Sequence, residues 1–346
     1  MKLMINKSNY LMFIFVPILL LSIMLSLSSS SWLMSWMLIE LNLMSFIPIM
    51  QNYTKFLYCS NNIKYYLIQT FSSVILLFSL NFSLMNYFLY FKNIVFISMF
   101  MKLGMPPFHM WFVNLMKNNS WIICMYLSSL QKIIPLIILI FLDASASSMN
   151  MILIILLIYY FFMINPKFLN SLNFKLIMSY SSIINTFWIV SISMYNPMWS
   201  IFYMMIYFTS SVNLMMMMNL LNSKNFNNLM MKILNNWNYT LMVLTFIVAA
   251  LPPTNLFMMK YMLMNLNMNN MLLLIFLTFI STISILVYFR FIMNSMFLKK
   301  FTNKINIMNF ININFMKKKL NFLLIMNFLI NLNTLTITPI IMTVME

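Results

Sequence analysis

Residues 101–110 read Met-Lys-Leu-Gly-Met-Pro-Pro-Phe-His-Met and interrupt an otherwise apolar segment. This stretch contains Gly104, the only glycine among 346 residues. Proline has no backbone N–H and its ring clashes with the preceding helical turn, so Pro106 and Pro107 should break a helix here. Residues 250–253, Ala-Leu-Pro-Pro, interrupt a second apolar segment in the same way. The sequence therefore predicts two helices that are each broken near their middle.

The composition places the chain among membrane proteins. Hydrophobic residues make up 63% and charged residues 7% of the chain, whereas an ordinary soluble domain is about 25% charged. The formal net charge of +17 would also suit a nucleic-acid partner. The basic residues, however, border apolar segments, where they report membrane orientation instead. We therefore expect an all-α polytopic membrane protein without a nucleic-acid partner. Forty-three methionines and a single glycine indicate an AT-rich mitochondrial genome.

Eleven segments are long enough to cross a bilayer, for which a helix needs about 20 mainly apolar residues. The sixth segment is the shortest. The predicted transmembrane helices cover residues 10–27, 32–50, 65–88, 93–116, 121–141, 149–164, 173–194, 198–222, 239–266, 271–297 and 320–344.

The lysines support this count, because basic residues concentrate in the loops on the side from which a membrane protein is inserted. Of the predicted loops on the opposite side, only one contains a lysine, Lys92. The predicted topology places the N-terminus in the matrix and the C-terminus in the intermembrane space. The lysines on the predicted matrix side are Lys2, Lys7, Lys55, Lys64, Lys117, Lys167, Lys175, Lys224, Lys232, Lys299, Lys300, Lys304, Lys317, Lys318 and Lys319.

The two broken helices are the fourth and the ninth predicted spans. Because they lie five spans apart and five is an odd number, equivalent helices of the two halves would cross the membrane in opposite directions. Residues 10–141 and 149–297 are accordingly predicted to form two inverted five-helix repeats within a single membrane domain, residues 1–346. A basic matrix-side loop, 298–319, and a C-terminal helix, 320–344, would follow. Paired broken helices point to an ion site at the membrane midplane. The alternative is that the proline pairs only kink two packed helices.

Four charged residues, Glu40, Lys102, Lys132 and Lys260, fall well inside predicted spans, whereas Arg290 lies about seven residues from the basic end of its span, near enough for its long side chain to reach the interface. A charge near the bilayer centre costs at least about 2.5 kcal/mol, so such residues suggest an ion or proton pathway. An approaching or departing carboxylate changes the proton affinity of a lysine. We predict that Glu40 and Lys102 form this modulating pair, that Lys132 is the middle relay, and that Lys260 passes protons toward an exit. A structural ion pair, an unseen counter-ion or a lysine reaching the head groups are the simpler alternatives.

The only histidine, His109, follows the first break and could transfer protons or serve in helix capping and polar packing. No second histidine or cysteine lies at a metal-ligand spacing, since Cys59 and Cys124 are far apart. We therefore expect no metal site. The sequence also contains no motif for a nicotinamide, flavin, iron-sulfur or haem group.

Five motifs together resemble the antiporter-like membrane subunits of respiratory complex I, and specifically the mitochondrial NADH dehydrogenase subunit 2 family. They occur in the family's order and spacing. The motifs are the acidic segment 31–42 with Phe46-Ile47-Pro48, the first break Lys102 to His109, Gln131-Lys132-Ile133-Ile134-Pro135, Ser179-Tyr180-Ser181-Ser182-Ile183 with Trp188, and Leu251-Pro252-Pro253 through Lys260-Tyr261.

This resemblance implies a proton-translocating core subunit of NADH:ubiquinone oxidoreductase in the mitochondrial inner membrane. It implies the same relay residues, Glu40, Lys102, Lys132 and Lys260, and no cofactor bound by this chain. NADH, FMN, iron-sulfur clusters and ubiquinone would be held by partner subunits. The expected partners are neighbouring antiporter-like subunits, small membrane subunits and phospholipid, including cardiolipin.

The chain departs from the family pattern at several positions. Leu103, Met105 and Pro106 are bulkier or stiffer than the usual residues around the first break. Asn185 stands where the family often carries a histidine, so a relay role is not transferred to it. Two other functions stay open: a stand-alone cation/proton antiporter, and a structural subunit whose buried charges only fix helix register. The substitutions around the second break are Leu256, Met259 and Tyr261.

Overall fold

A computed structural model describes residues 2–53, 59–84, 88–142, 146–221, 237–252, 254–266 and 271–302. The predicted helix 320–344, most of the loop 298–319 and Pro253 lie outside these residues. The described helices are α1 (Lys2–Ser28), α2 (Trp32–Tyr53), α3 (Cys59–Leu84), α4 (Phe88–Leu103), α5 (Met110–Asn118), α6 (Trp121–Ser128), α7 (Leu130–Phe141), α8 (Ala146–Met163), α9 (Asn165–Leu169), α10 (Phe174–Ser193), α11 (Pro197–Leu220), α12 (Trp237–Ala249), α13 (Asn255–Leu266) and α14 (Met271–Thr302).

These helices confirm the polytopic all-helical fold class. The first ten predicted spans each coincide with one helix or with two consecutive helices. By length and composition, six of the described helical segments could cross a membrane, and three shorter ones are also apolar. Large apolar side chains are exposed along α1, α3 and α14. In a protein whose outer surface meets acyl chains, such exposure is the expected arrangement.

Helix α10 lies at the centre of the described bundle, and nearly all of its side chains are buried. It packs against α5, α7, α11 and α14. Its serine hydroxyls donate to carbonyls of the preceding turn, as Ser182 does to Ser179 at 2.7 Å. Serines bonded in this way can be buried without leaving an unsatisfied donor. Polar residues on α10 are therefore held inside the bundle and face its neighbours.

The first predicted break separates α4 from α5. Gly104 adopts a left-handed conformation with φ of 66°, and the Met105 N–H donates to the Phe100 carbonyl at 3.0 Å. This bond to the carbonyl five residues earlier belongs to the glycine C-cap known as the Schellman motif. The Pro106–Pro107 peptide is cis. The chain resumes as a helix at Met110.

The second break repeats the same backbone pattern. Ala250 has φ of 57°, and the Leu251 N–H donates to the Phe246 carbonyl at 3.3 Å. Beyond each break the chain turns back once more, through Phe108 N–H to Met105 O and through Thr254 N–H to Leu251 O, both at 2.8 Å. The two proline motifs therefore end their helices by the same hydrogen-bond arrangement.

The predicted span 121–141 is divided at Ser129 into α6 and α7, an interruption that the sequence analysis did not predict. The Ser129 hydroxyl donates to the Met125 carbonyl at 2.6 Å, alongside the Ser129 N–H at 3.1 Å. The Ser128 hydroxyl also donates to this carbonyl, at 3.3 Å. Paired serines that compete for a backbone acceptor commonly kink helices. The kink lies one turn before Lys132.

Candidate functional site

Three of the four predicted relay residues are buried in the protein. Lys102 on α4 is 4% exposed, Lys132 on α7 is 2% exposed and Lys260 on α13 is 5% exposed. Glu40 on α2 is half-buried. All three lysine side chains are enclosed by the helices. The Lys260 side chain therefore does not extend out of the bundle, as it would have to do to reach the head groups.

Glu40 and Lys102 interact electrostatically, but no ion pair within 4.0 Å joins them in the described part of the chain. Lys102 is instead held by Gln69 of α3. Its ammonium donates to the main-chain carbonyl of Gln69 at 3.3 Å, and the side-chain amide of Gln69 donates back to the main-chain carbonyl of Lys102 at 3.3 Å. The carboxylate can therefore influence the lysine without fixing its position.

Polar side chains on α3 connect the surroundings of Lys102 with those of Lys132. Tyr65 lies one turn before Gln69, and its hydroxyl donates to the Gln131 side chain at 3.1 Å. Gln131 is adjacent to Lys132 on α7, and its amide nitrogen is buried without a hydrogen-bond acceptor in the described structure. Residues four apart share a helix face, so this face of α3 spans the gap between two lysines.

Lys132 lies against α5 and α10. Its ammonium is 4.3 Å from the centroid of the Phe112 ring and donates to the Ser182 hydroxyl at 3.4 Å. A cation over an aromatic face is attracted by the ring quadrupole. Because α5 begins only after the first break, the geometry of that break places Phe112 beneath Lys132.

Lys260 lies on α13, directly after the second break. Its ammonium is 5.5 Å from the centroid of the Trp188 ring on α10. Among the described residues we find no hydrogen-bond acceptor for it. The Trp188 indole N–H is likewise buried without a described partner. Each break is therefore followed by one partner of a contact between a lysine and an aromatic ring. After the first break α5 carries Phe112, which contacts Lys132, and after the second break α13 carries Lys260, which contacts Trp188.

His109 is buried and occupies the N-cap position of α5, but its side chain does not cap the helix. Its Nδ1 lies 3.2 Å from the Pro107 carbonyl. This contact fits polar packing at the break. The Lys167 ammonium is near enough to act on His109 electrostatically. A role in proton transfer stays a prediction.

Two further cations, Lys175 and Arg290, also donate to backbone carbonyls. Lys175, assigned to a matrix loop, is buried in the first turn of α10, where it donates to the Asn119 carbonyl and lies 5.2 Å from the Trp121 ring. Arg290 of α14 is exposed and reaches back toward the segment after α9. Its guanidinium donates to the carbonyl oxygens of Leu169 at 2.8 Å and Ser171 at 3.0 Å.

Several site residues were not found by sequence reasoning. Gln69 and Tyr65 lie in the third span, and the only available signal was a glutamine within an apolar segment. Tyr207, a buried residue of α11 near Ser182, carried no signal because tyrosines are frequent in this chain. In the described residues no three histidine, cysteine or acidic side chains come together as a metal site would require.

The arrangement is a row of buried amines separated by amide and hydroxyl groups. Amines can gain and lose protons, while amides and hydroxyls can orient the water through which protons move. Helices α2, α3, α4, α7, α10 and α13 each supply part of this row.

Comparison with known proteins identifies the family and the fold of the chain. Residues 29–286 match the family described as NADH:quinone oxidoreductase/Mrp antiporter, transmembrane. NADH-ubiquinone oxidoreductase chain 2 of Locusta migratoria is 30% identical over 62% of this chain and 64% of the locust chain, slightly less than two thirds of that relative. The Lumbricus terrestris chain of the same name is 31% identical over 68% of this chain and 71% of its own length.

A solved structure shows the same fold at low sequence identity. A chain of the Mrp complex from Dietzia sp. DQ12-45-1b superposes with a TM-score of 0.70 at 11% identity, covering 80% of this chain and 59% of that one. The family expected from the five motifs is thus confirmed by the match over residues 29–286 and by the earthworm alignment. The chain belongs to the NADH-ubiquinone oxidoreductase chain 2 family, within the NADH:quinone oxidoreductase/Mrp antiporter transmembrane proteins.

Proposed function

We propose that this chain is a proton-translocating subunit of NADH:ubiquinone oxidoreductase in the mitochondrial inner membrane. The observation that carries the proposal is the burial of three lysines within the bundle: Lys102 and Lys132 are bonded to buried polar groups, and Lys260 lies against the Trp188 ring. A single buried lysine can have a purely structural role when it is paired with a carboxylate. Three buried lysines with Glu40 as the only carboxylate among the described residues are better suited to exchanging protons.

In the proposed mechanism Glu40 modulates Lys102. When the carboxylate approaches, the ammonium form of Lys102 is stabilised, and when it withdraws, a proton is released toward Lys132. The carboxylate is not locked in an ion pair, which leaves room for such a movement. Gln69, Tyr65 and Gln131 orient the route between the two lysines. Lys260, beyond the second break, passes the proton toward the exit.

We propose that redox chemistry takes place in partner subunits. The chain contributes lysines, amides and hydroxyls, and we propose that NADH, FMN, iron-sulfur clusters and ubiquinone are handled by its neighbours. The proposed partners are the other membrane-arm subunits, together with anionic phospholipid such as cardiolipin at the basic matrix side. The N-terminus is proposed to face the matrix and the C-terminus the intermembrane space.

We also propose that residues 10–141 and 149–297 are inverted repeats. The matching hydrogen bonds at Gly104 and Ala250 support this proposal, because each repeat would then contain one helix ended by the same cap. Each broken helix would provide backbone groups at membrane depth that face protein rather than lipid.

A stand-alone cation/proton antiporter is the second candidate, and the fold shared with a chain of an Mrp complex favours considering it. Two preparations separate the candidates. For the subunit, NADH:ubiquinone activity should co-purify with this chain from mitochondrial membranes, and liposomes containing the chain alone should show no sodium or proton flux. Autonomous sodium–proton exchange by those liposomes, without co-purifying activity, would favour the antiporter.

A further inference from the structure

Between Lys132 and Lys260 the central helix α10 presents Ser182, Asn185 and Trp188 at three-residue intervals. Ser182 accepts from Lys132, and Trp188 lies beneath Lys260. The helical rise from Ser182 to Trp188 is about 9 Å, whereas one hydrogen bond spans about 2.8 Å. A proton moving between the two lysines therefore needs intermediate groups.

Helix α11 supplies polar groups in this interval. It packs against α7, which carries Lys132, and against α13, which carries Lys260. Tyr203 of α11 is fully buried and donates to the Asn185 side-chain oxygen at 2.8 Å. From α14, the Tyr288 hydroxyl donates to Ser181 at 2.8 Å. The surroundings of Asn185 are therefore rich in hydroxyl groups.

Tyr207, one turn after Tyr203, is the unusual member of this group. Its side chain is 0% exposed, and its hydroxyl lies near the side chains of Ser182, Asn185 and Ser211. None of these, nor any other described residue, meets hydrogen-bond geometry with it. A buried hydroxyl without a protein partner is normally satisfied by an ordered water.

The donors and acceptors near Tyr207 suit such a water. Ser182 already uses its hydrogen on the Ser179 carbonyl and accepts from Lys132. The Asn185 amide nitrogen donates to the Ser181 carbonyl at 3.0 Å, which leaves its oxygen toward α11. A water near the Tyr207 hydroxyl would meet two or more polar groups, as buried waters require.

We propose that the Tyr207 hydroxyl holds a water beside Ser182 and Asn185, and that this hydroxyl and water pass protons from Lys132 toward Lys260. This inference rests on the proposed function. The Lys132 ammonium gives one proton to the water, the water gives one to the Tyr207 oxygen, and the original Tyr207 proton passes to the neutral amine of Lys260, so that Lys132 ends as the amine and Lys260 as the ammonium. The hydroxyl is regenerated, and no oxidant or reductant is consumed. Tyr207 is thus a proton-relay residue, at the level where the Asn185 amide cannot gain or lose a proton.

The test compares Tyr207→Phe with Tyr160→Phe in the assembled complex in native membranes. Tyr160 on α8 is also 0% exposed, and its hydroxyl donates to the Tyr180 carbonyl at 3.4 Å, outside the proposed route. If Tyr207 organises the transfer, Tyr207→Phe lowers NADH-driven proton translocation about fivefold, the effect of losing one hydrogen bond in the rate-limiting step. It should also raise the ratio of turnover in H₂O to turnover in D₂O. Tyr160→Phe should change neither quantity.

A Lys132→Met variant in the same assay distinguishes failure of the inference about Tyr207 from failure of the proposed function. Normal translocation by Tyr207→Phe together with loss in Lys132→Met would overturn the inference but leave the proposed function intact. Normal translocation by both variants would overturn the proposed function. If Tyr207→Phe does not assemble, Ser182→Ala decides, because it removes the hydroxyl on the other side of the same site. Slowed turnover with an enlarged isotope ratio supports the inference, and wild-type values contradict it.

Discussion

Replacing Gly104 by alanine should disturb both the first helix break and the site next to it. A left-handed conformation costs a residue with a Cβ about 1–2 kcal/mol, and Gly104 has φ of 66°. The added Cβ would lie 2.8 Å from the Phe112 Cβ and 3.2 Å from the Trp111 ring. Overpacking of this kind typically costs about 1–3 kcal/mol. Because the Phe112 Cβ is fixed to the backbone of α5, the helix itself has to move.

The expected total loss of stability is about 2–5 kcal/mol, as the sum of these two effects. Movement of α5 would also displace the Phe112 ring, which is 4.3 Å from the Lys132 ammonium. The assay is thermal and denaturant unfolding of the complex in detergent, with proton translocation measured in parallel. Ala250→Gly is the matched control, since it relieves a left-handed alanine and should gain up to about 1 kcal/mol. Wild-type stability and translocation in Gly104→Ala would refute this reasoning.

Two further substitutions test individual contacts. Gln69→Leu removes the bond from the Gln69 side-chain amide to the Lys102 main-chain carbonyl and should lower the unfolding free energy by roughly 0.5–1.5 kcal/mol, the range for a neutral hydrogen bond; an unchanged denaturation midpoint would show that this contact is not stabilising. Arg290→Ala removes the donors to the carbonyls of Leu169 and Ser171 and should cost about 1 kcal/mol because the site is exposed. Proteolysis should then cleave the segment after α9 faster, whereas an unaltered cleavage rate would contradict the proposed anchoring.

Local sequence rules predicted the elements that depend on local chemistry. Proline pairs fixed the positions of both breaks, because a missing N–H acts wherever the proline stands. The left-handed conformation at Gly104 was open to prediction from its residue type, but the one at Ala250 was not, since alanine rarely adopts it. The kink at Ser129 depends on two serine hydroxyls that compete for one carbonyl, and serines within helices usually cause no interruption.

The site was predicted less completely, for a different physical reason. Charge within an apolar span was sufficient to select Lys102, Lys132 and Lys260, because a charge inside such a span is costly and marks a functional position, but it did not select the buried Lys175, which was assigned to a loop. The partners depend on helix packing across the bundle. Lys102 is bonded by Gln69, 33 residues away in sequence, rather than by Glu40, and Lys132 is bonded by Ser182, 50 residues away. Such pairs have no signature in a single sequence.

The central claim is that buried lysines exchange protons rather than only hold helices in register. The most direct measurement is NADH-driven proton translocation by the assembled complex carrying Lys132→Met. Methionine has a similar volume and suits the apolar contact with Phe112, so assembly should persist. We predict that translocation is lost while the complex remains intact. Full translocation by an assembled Lys132→Met complex would contradict the relay.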